Sequence, residues 1–303
     1  MRICVFGAGS LGSALGGMLA NEHRVSIIAR RDNISAIMRD GLRLTGDVWS
    51  RVRVDAHETV EGVHPPELLI ITTKAYDTGE AVDQCRDWVT KDTRVLTLQN
   101  GLGNLELLRK WLGARAFGGT ISMGAALTRP GVVRVSGLGD TVIGADKDPE
   151  GASRIVEAFS SCGFSASADM NIAGHIWAKA IVNACINPTS AVLDVSNGCL
   201  VDNPVISRFM NEVCQECELV ASANGIMLPN ASMKARMRAV ARDTSENISS
   251  MLQDVRRGRR TEISQINGAF RDIGARKGIR TPLNTALTAM VETLATCAVM
   301  EKG

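Results

Sequence analysis

Along the first half of the chain, short apolar runs alternate with stretches whose apolar residues recur every three or four positions. Residues 3–6, 25–29, 68–72 and 94–98 are runs of the first kind and read as strands, and 68–72 is apolar enough to be buried on both faces. A glycine turn follows the first run and opens a helix from about residue 11 to 20. Residues 132–135 and 141–143 read as a hairpin around a turn at Gly137 and Gly139. Strands separated by helical patterns imply βαβ units, and hence a parallel sheet with right-handed crossovers and covered faces.

From about residue 150 the period is helical throughout. Segments 151–162, 171–186, 204–224, 231–256, 260–277 and 283–300 read as helices, with breaks at Gly163, Pro188, 225–229, Gly258 and 278–282. Pro188, directly after Asn187, is expected to end or kink its helix. No repeat or low-complexity linker separates the two halves. They are therefore expected to pack directly, with a ligand site in the cleft between them.

The 303 residues carry 34 basic and 32 acidic side chains, a net charge of +2, with 45% apolar and 22% charged residues. This balance offers no concentrated basic face for nucleic acid and argues against disorder. At about 150 residues per domain the length suits two domains. Eight irregularly spaced cysteines are too dilute for a disulfide scaffold and fit reduced, mostly buried thiols in a cytoplasmic protein. Residues 3–20 lack charge, as a signal peptide or span would, but five of them are glycine, which weakens a continuous apolar helix. Residues 283–300 contain Glu292 and four threonines and read as an amphipathic packing helix. No membrane partner is expected.

Gly7-Ala8-Gly9-Ser10-Leu11-Gly12 is G-x-G-x-x-G placed after a strand and at the start of a helix. In that position Gly7 permits a tight turn, Gly9 lets backbone N–H groups approach a pyrophosphate, and Gly12 lets helix and strand pack closely. A dinucleotide site usually carries Asp or Glu at the end of the second strand to hold the ribose hydroxyls. Here Arg30 and Arg31 stand instead, Arg30 falling 18 residues beyond Gly12. A guanidinium suits a 2′-phosphate, so NADPH/NADP+ is the expected cofactor; two solvated arginines in a loop are the alternative. Asp32 is expected to cap the next helix. The expected fold is α/β, with a Rossmann-type dinucleotide-binding domain at 1–168 and a mostly α-helical substrate-binding and catalytic domain at 169–303.

Three further constellations carry polar chemistry. Thr72-Thr73-Lys74-Ala75-Tyr76-Asp77 ends a buried strand, and Gln99-Asn100-Gly101-Leu102-Gly103-Asn104 ends the next. The third is Lys179, Asn183 and Asn187, followed by Asn197-Gly198. At about 100° per residue, Lys179, Asn183 and Asn187 line one face of a helix otherwise bordered by apolar residues. A lysine and two amides there are costly to bury without partners.

These residues, taken in order, resemble the ketopantoate reductase (2-dehydropantoate 2-reductase) family. The similarity runs from the glycine turn through Lys74-Ala75-Tyr76-Asp77, Asn100-Gly101, the Lys179/Asn183/Asn187 face and Asn197-Gly198. It continues through residues 249–254 and 261–263 to Ile266-Asn267-Gly268. The resemblance implies NADPH-dependent reduction of ketopantoate to (R)-pantoate in pantothenate and coenzyme A biosynthesis. It also implies roles. Lys179 is the general acid and a substrate contact, and Glu262 is a second catalytic residue that also lies at the cofactor. Asn183, Asn187, Asn197 and Ser250 hold the substrate, with Asn100 between substrate and cofactor. Gly7, Ala8, Gly9, Ser10, Leu11, Gly12, Arg30 and Lys74 contact the dinucleotide. A reductase of another branched 2-oxo acid or a β-hydroxyacid, and an NADPH-binding regulator without catalysis, remain alternatives. So does a plain salt bridge between Lys179 and Glu262.

The chemistry asks for such a set independently. Hydride delivery to a ketone leaves an alkoxide, which needs a proton donor and a cation nearby, and a desolvated ammonium is both. A carboxylate such as Glu262 suits a substrate hydroxyl. Ser250 and Glu262 converge only if Gly258 breaks the helix or the ligand sits between them. Cys214-x-x-Cys217 reads as buried thiols on one helix face, and four scattered histidines give no ligand spacing, so no metal is expected. The basic run 256–260 is either an attractor of anionic ligands or solvated helix surface. Either a monomer or a homodimer is compatible with the chain.

Overall fold

The computed structural model describes residues 1–229 and 231–300; Asn230 and residues 301–303, the end of the expected second domain, lie outside the described residues. Contacts divide the chain into two compact units. The first comprises Met1–Gln99 and Asn104–Ile172, and the second comprises Asn100–Gly103 and the chain from Ala173 onward.

In chain order the first unit contains β1 (Arg2–Phe6), α1 (Ser10–Leu19), β2 (Arg24–Ile28), α2 (Arg31–Asp40), β3 (Leu42–Gly46), β4 (Ser50–Val52) and β5 (Asp55–His57). It continues with β6 (Leu68–Ile71), α3 (Thr78–Cys85), β7 (Arg94–Thr97), α4 (Asn104–Leu112), β8 (Ala116–Arg129), β9 (Val132–Gly144), α5 (Pro149–Ser160) and β10 (Ala166–Ala168). These strands form one sheet in the order β4-β3-β9-β8-β7-β6-β1-β2-β5, with β10 beside β9. Its central part, from β8 through β7, β6, β1 and β2 to β5, is parallel throughout. The strand order reverses between β1 and β6, which is where open α/β sheets leave a crevice at their carboxyl ends.

Leu68–Ile71 is buried along its length, as its unbroken apolar run requires in a sheet covered on both faces. Phe117 and Phe159 are fully buried in the same core, which also takes Ile27, Leu44 and Val133. The Phe117 ring lies under the first turn of α5, close enough that a Cβ on Gly151 would meet it at 2.7 Å.

The expected hairpin around Gly137 and Gly139 does not form. Residues 132–144 are one strand, β9, paired antiparallel with the unanticipated β8, and the chain reverses at residues 130–131 instead. The sheet is therefore mixed, with β3 and β4 also antiparallel. The glycines that imitate a turn serve the pairing. The register shifts around Met123, Gly137 adopts φ +64°, and Gly124 and Gly139 approach backbone oxygens so closely that a Cβ would sit 2.4 and 2.6 Å away. Asp32 does not cap α2 either: Arg30 occupies the cap position and Asp32 lies in the first turn.

The second unit is helical: α6 (Ile172–Leu193), α7 (Asn197–Asp202), α8 (Pro204–Ala223), α9 (Met233–Asp243), α10 (Ser250–Arg256), α11 (Asn267–Arg276) and α12 (Pro282–Met300). The expected helix 231–256 is two helices, because Ser249 caps a new one by accepting from Leu252 N at 3.1 Å. The expected 260–277 helix opens as a 3-10 turn, Ile263–Gln265, before α11. Gly258, with φ +64°, ends the preceding segment.

Pro188 does not end α6, which runs on to Leu193. A proline has no N–H for the carbonyl four residues back, here that of Ala184. The fully buried Asn267 replaces it, its Nδ2 donating to Ala184 O at 3.0 Å. The same nitrogen lies 3.0 Å from Asn284 Oδ1, and Asn284 Nδ2 donates to Glu216 at 2.8 Å. Glu216 also accepts from the backbone N–H groups of Leu283 and Asn284, capping α12. Apolar packing adds the Trp177–Phe270 edge-to-face pair, centroids 5.7 Å apart. Among the described residues no helix is long and apolar enough to cross a membrane.

Phe117→Ala should destabilise the sheet unit by about 3–5 kcal/mol through the cavity it leaves. Urea unfolding checks this: the midpoint should fall with little change in slope.

Candidate functional site

In the first unit the glycine turn is set by steric limits. Gly7 adopts φ +104°, and its N–H and that of Ala8 both donate to Ile28 O, at 3.0 and 3.2 Å. A Cβ on Gly7 would lie 2.6 Å from Thr73 N, and one on Gly12 only 2.2 Å from Gly7 O. At Gly9 the opposite holds: an added Cβ meets nothing within 4 Å. Gly9 precedes α1, so the open space lies at a helix N-terminus, where N–H groups and the helix dipole favour an anion. This cradle fits a pyrophosphate.

Sequence reasoning missed the residues that pin this turn. Thr72 Oγ1 donates to Gly7 O at 2.9 Å, Asn33 Nδ2 donates to Ala8 O at 2.9 Å, and Ser10 Oγ accepts from Leu127 N at 3.0 Å. Asn33 also accepts from Gly131 N at 2.7 Å. Gln99 plays the same part for the next strand ends, its Nε2 donating to Thr73 O at 3.0 Å and lying 2.8 Å from Thr78 Oγ1. The Thr78 hydroxyl is 2.8 Å from Asn104 Oδ1. Of these, Ser10, Thr72, Thr73, Gln99 and Asn104 stood in motifs already singled out, though not for these bonds; Asn33 carried no local signal. Lys74 is half-buried just after β6. Arg30 is exposed at the end of β2, while Arg31 lies 3.5 Å from Glu58.

In the second unit Lys179 and Asn183 are half-buried on α6 and Asn187 is buried. Glu262, also buried, sits at the head of the 3-10 turn. Burial pushes the Lys179 amine down to about 8, against the opposing pull of the Glu262 carboxylate. Asn197 Nδ2 donates to Thr244 Oγ1 at 2.9 Å, leaving its buried Oδ1 without a partner. Ser250 is exposed at the first turn of α10, whereas Ser249 beside it is buried and takes a hydrogen bond from Ser190 at 2.9 Å.

The loop Asn100–Gly103 belongs to this unit although it follows β7. Leu102 N donates to Gln265 O at 2.9 Å, and Gly101, at φ +84°, passes so close that a Cβ would meet that oxygen at 2.5 Å. The backbone that carries Glu262 thus also holds the loop that begins with Asn100. Lys179, Asn183, Asn187, Glu262, Asn197 and Asn100 all fall in one unit; the glycine turn, Arg30 and Lys74 fall in the other. Among the described residues no three His, Cys, Asp or Glu side chains gather as metal ligands would. Cys214 and Cys217 are fully buried.

A glycine turn at the reversal of a parallel sheet makes the first unit Rossmann-like, the class of fold in which dinucleotides are commonly held. The helical unit adds a desolvated amine beside a carboxylate, as an oxidoreductase acting on a carbonyl would need. The chain belongs to the ketopantoate reductase PanE/ApbA family. Residues 3–148 match the family described as ketopantoate reductase PanE/ApbA, and residues 171–295 its C-terminal counterpart. A 2-dehydropantoate 2-reductase of Pyrococcus horikoshii is 39% identical over 297 residues, covering 96% of this chain and 97% of that one. A PanE/ApbA family ketopantoate reductase from Ralstonia eutropha JMP134 superposes with a TM-score of 0.91 at 32% identity, covering 98% and 99% of the two chains. D-mandelate dehydrogenase, solved with NADH and anilino(oxo)acetate, superposes with a TM-score of 0.93 at 27% identity over the same shares.

Gly12→Ala and Gly9→Ala should part company. The first must displace a backbone carbonyl and is expected to cost about 1–3 kcal/mol of stability; the second should cost at most about 1 kcal/mol. Thermal melts of the two variants check the contrast.

Proposed function

We propose that the protein is an NADPH-dependent 2-dehydropantoate 2-reductase, reducing ketopantoate to (R)-pantoate on the cytoplasmic route to pantothenate and coenzyme A. The observation that carries this reading is Lys179, an amine lowered to about 8 by burial and set beside Glu262 on a helix face it shares with Asn183 and Asn187. The names of the relatives supply the substrate, and the NADH held by D-mandelate dehydrogenase supports a nicotinamide dinucleotide. Eight free cysteines among the described residues, most of them buried, agree with a reducing compartment.

On this reading residues 1–168 form the dinucleotide-binding domain and 169–303 the substrate domain. Gly7, Ala8, Gly9, Ser10, Leu11 and Gly12 hold the pyrophosphate, Lys74 and Arg30 add positive charge, and Arg30 faces the 2′-phosphate. Glu262 and Asn100 also reach the cofactor. When bound, the reduced nicotinamide supplies a hydride. Lys179 donates its proton to the ketone oxygen and steadies the negative charge that develops there. Asn183, Asn187, Asn197 and Ser250 orient the 2-oxo acid. Glu262 accepts a hydrogen bond from that hydroxyl and sustains the charge on Lys179. A substrate without the hydroxyl forgoes that charge-assisted hydrogen bond, at a cost of roughly 1.5–3 kcal/mol. The second reading is a reductase of another branched 2-oxo acid, favoured by the likeness to D-mandelate dehydrogenase.

Four measurements test the proposal. NADPH oxidation with a panel of 2-oxo acids should favour ketopantoate over its deoxy analogue; equal rates would move the assignment to the second reading. Lys179→Ala should lower kcat by roughly 10²–10⁴ while leaving NADPH titration nearly unchanged. Because Lys179 donates only when protonated, kcat should be level below pH 8 and decline as pH rises through about 8. Arg30→Ala should raise KM for NADPH by about tenfold or more and for NADH far less, as loss of a guanidinium–phosphate pair predicts.

A further inference from the structure

Two features of the helical unit are left over from the proposed chemistry: a proline inside α6, and a fully buried asparagine whose amide answers it. Asn267 follows the 3-10 turn by one residue, and that turn hangs from Glu262, whose carbonyl accepts from Gln265 N and Ile266 N at 3.1 Å. Its Nδ2 reaches Ala184 O at 3.0 Å, on the turn of α6 between Asn183 and Asn187 and five residues beyond Lys179. Pro188 leaves that carbonyl without its helical donor, and an N–H at position 188 would supply one while the second lone pair stays with Asn267. From Asn267 the network continues to Asn284 and Glu216.

We infer that Asn267 is a positioning residue of the reaction, a hydrogen-bonded bolt that uses the carbonyl opened by Pro188 to fix the Glu262 turn against the lysine-bearing helix. It touches no reacting atom and acts through Glu262 and Lys179. The inference rests on the reading of those two residues given above and deepens it. A purely structural role would be the filling of an orphaned carbonyl. That role and the bolt are separable, because an N–H at position 188 satisfies Ala184 O without tying the Glu262 turn to α6.

The test uses four forms of the full-length protein: unsubstituted, Asn267→Ala, Pro188→Ala, and Pro188→Ala with Asn267→Ala. Melting temperature, kcat, and the KM values for NADPH and ketopantoate are measured for each. Asn267→Ala is expected to lower the melting temperature and to reduce kcat by roughly 10- to 100-fold, the usual consequence of a displacement of about 1 Å at a reacting centre. Its KM for NADPH should change far less than its kcat, since the glycine turn lies in the other unit and only Glu262 and Asn100 of the displaced region reach the cofactor. Pro188→Ala should keep kcat within about 3-fold. The double variant should regain melting temperature relative to Asn267→Ala while its kcat stays low.

If the double variant recovers kcat along with stability, Asn267 only fills a carbonyl and the inference is overturned. Should Asn267→Ala fail to fold, the double variant against Pro188→Ala alone gives the same decision. Lys179→Ala, assayed alongside, separates the failures. An active Lys179→Ala enzyme sinks the reading of the site and this inference with it; an inactive one together with a fully active double variant sinks the inference alone.

Discussion

A partly desolvated amine is the constraint on which the proposed chemistry of the helical unit depends. Placing an ammonium on the largely apolar helix α6 costs hydration, and the lowering of Lys179 to about 8 registers that cost. The Glu262 carboxylate opposes the shift without cancelling it, so the amine stays charged near neutrality yet yields its proton easily. Had desolvation acted alone, the group would tend to be neutral and useless as an acid. Had the carboxylate dominated, a tight ion pair would hold the proton. The balance depends on the distance between a helix and a turn that are remote in sequence, so on the proposed reading the fastening of one to the other is a matter of chemistry as well as stability.

The sheet unit works by a different limit, exclusion of side-chain volume. Gly7 and Gly12 are places where a Cβ would strike backbone, so they weld strand, turn and helix into one shape. Gly9 is a place where a Cβ would strike nothing in the protein, so no internal contact requires a glycine there. The three glycines of one motif thus divide into two structural requirements and one vacancy at a helix N-terminus. Thr72, Asn33 and Ser10 then hold the turn through its own oxygens and those of its neighbours, leaving the N–H groups of the first helical turn directed outward.

Much of this was legible in the sequence where a local rule sufficed. The strand–glycine–helix opening, the buried run 68–71 and the helical period after residue 150 each follow from patterns a few residues long. The Lys179/Asn183/Asn187 stripe followed from helical phase alone. What failed was non-local. Gly137 and Gly139 have the composition of a turn, and only the opposite strand shows that Gly139 eases a close approach to Ser122, while Gly137 takes a positive φ within β9. Pro188 carries a helix-breaking signal that Asn267, 79 residues further on, cancels. The Asn100–Gly103 loop follows a strand of the first unit, yet its backbone is held by Gln265 of the second. Ser249 and Ser250 are neighbours of identical chemistry, and only the start of α10 decides which is buried and which exposed.

The proposed choice of dinucleotide turns on two adjacent arginines that are not equivalent. Arg31 already has an acidic neighbour in Glu58, at 3.5 Å, on the segment just after β5, with both side chains largely in solvent. Arg30 occupies the cap position of α2 and, among the described residues, has no ion pair. A dianionic 2′-phosphate gains most from a cation that no carboxylate has already engaged, whereas a ribose hydroxyl gains little from either. Glu58 cuts the other way: a carboxylate beside the end of β2 is the kind of group that binds ribose hydroxyls, and it repels a phosphate. An exposed pair at this distance is weak, so Glu58 neither locks Arg31 in place nor shields Arg30. Arg30 and Arg31 thus stand against two carboxylates, Glu58 and Asp32 in the first turn of α2, and the proposed preference for the phosphorylated dinucleotide rests on Arg30 alone.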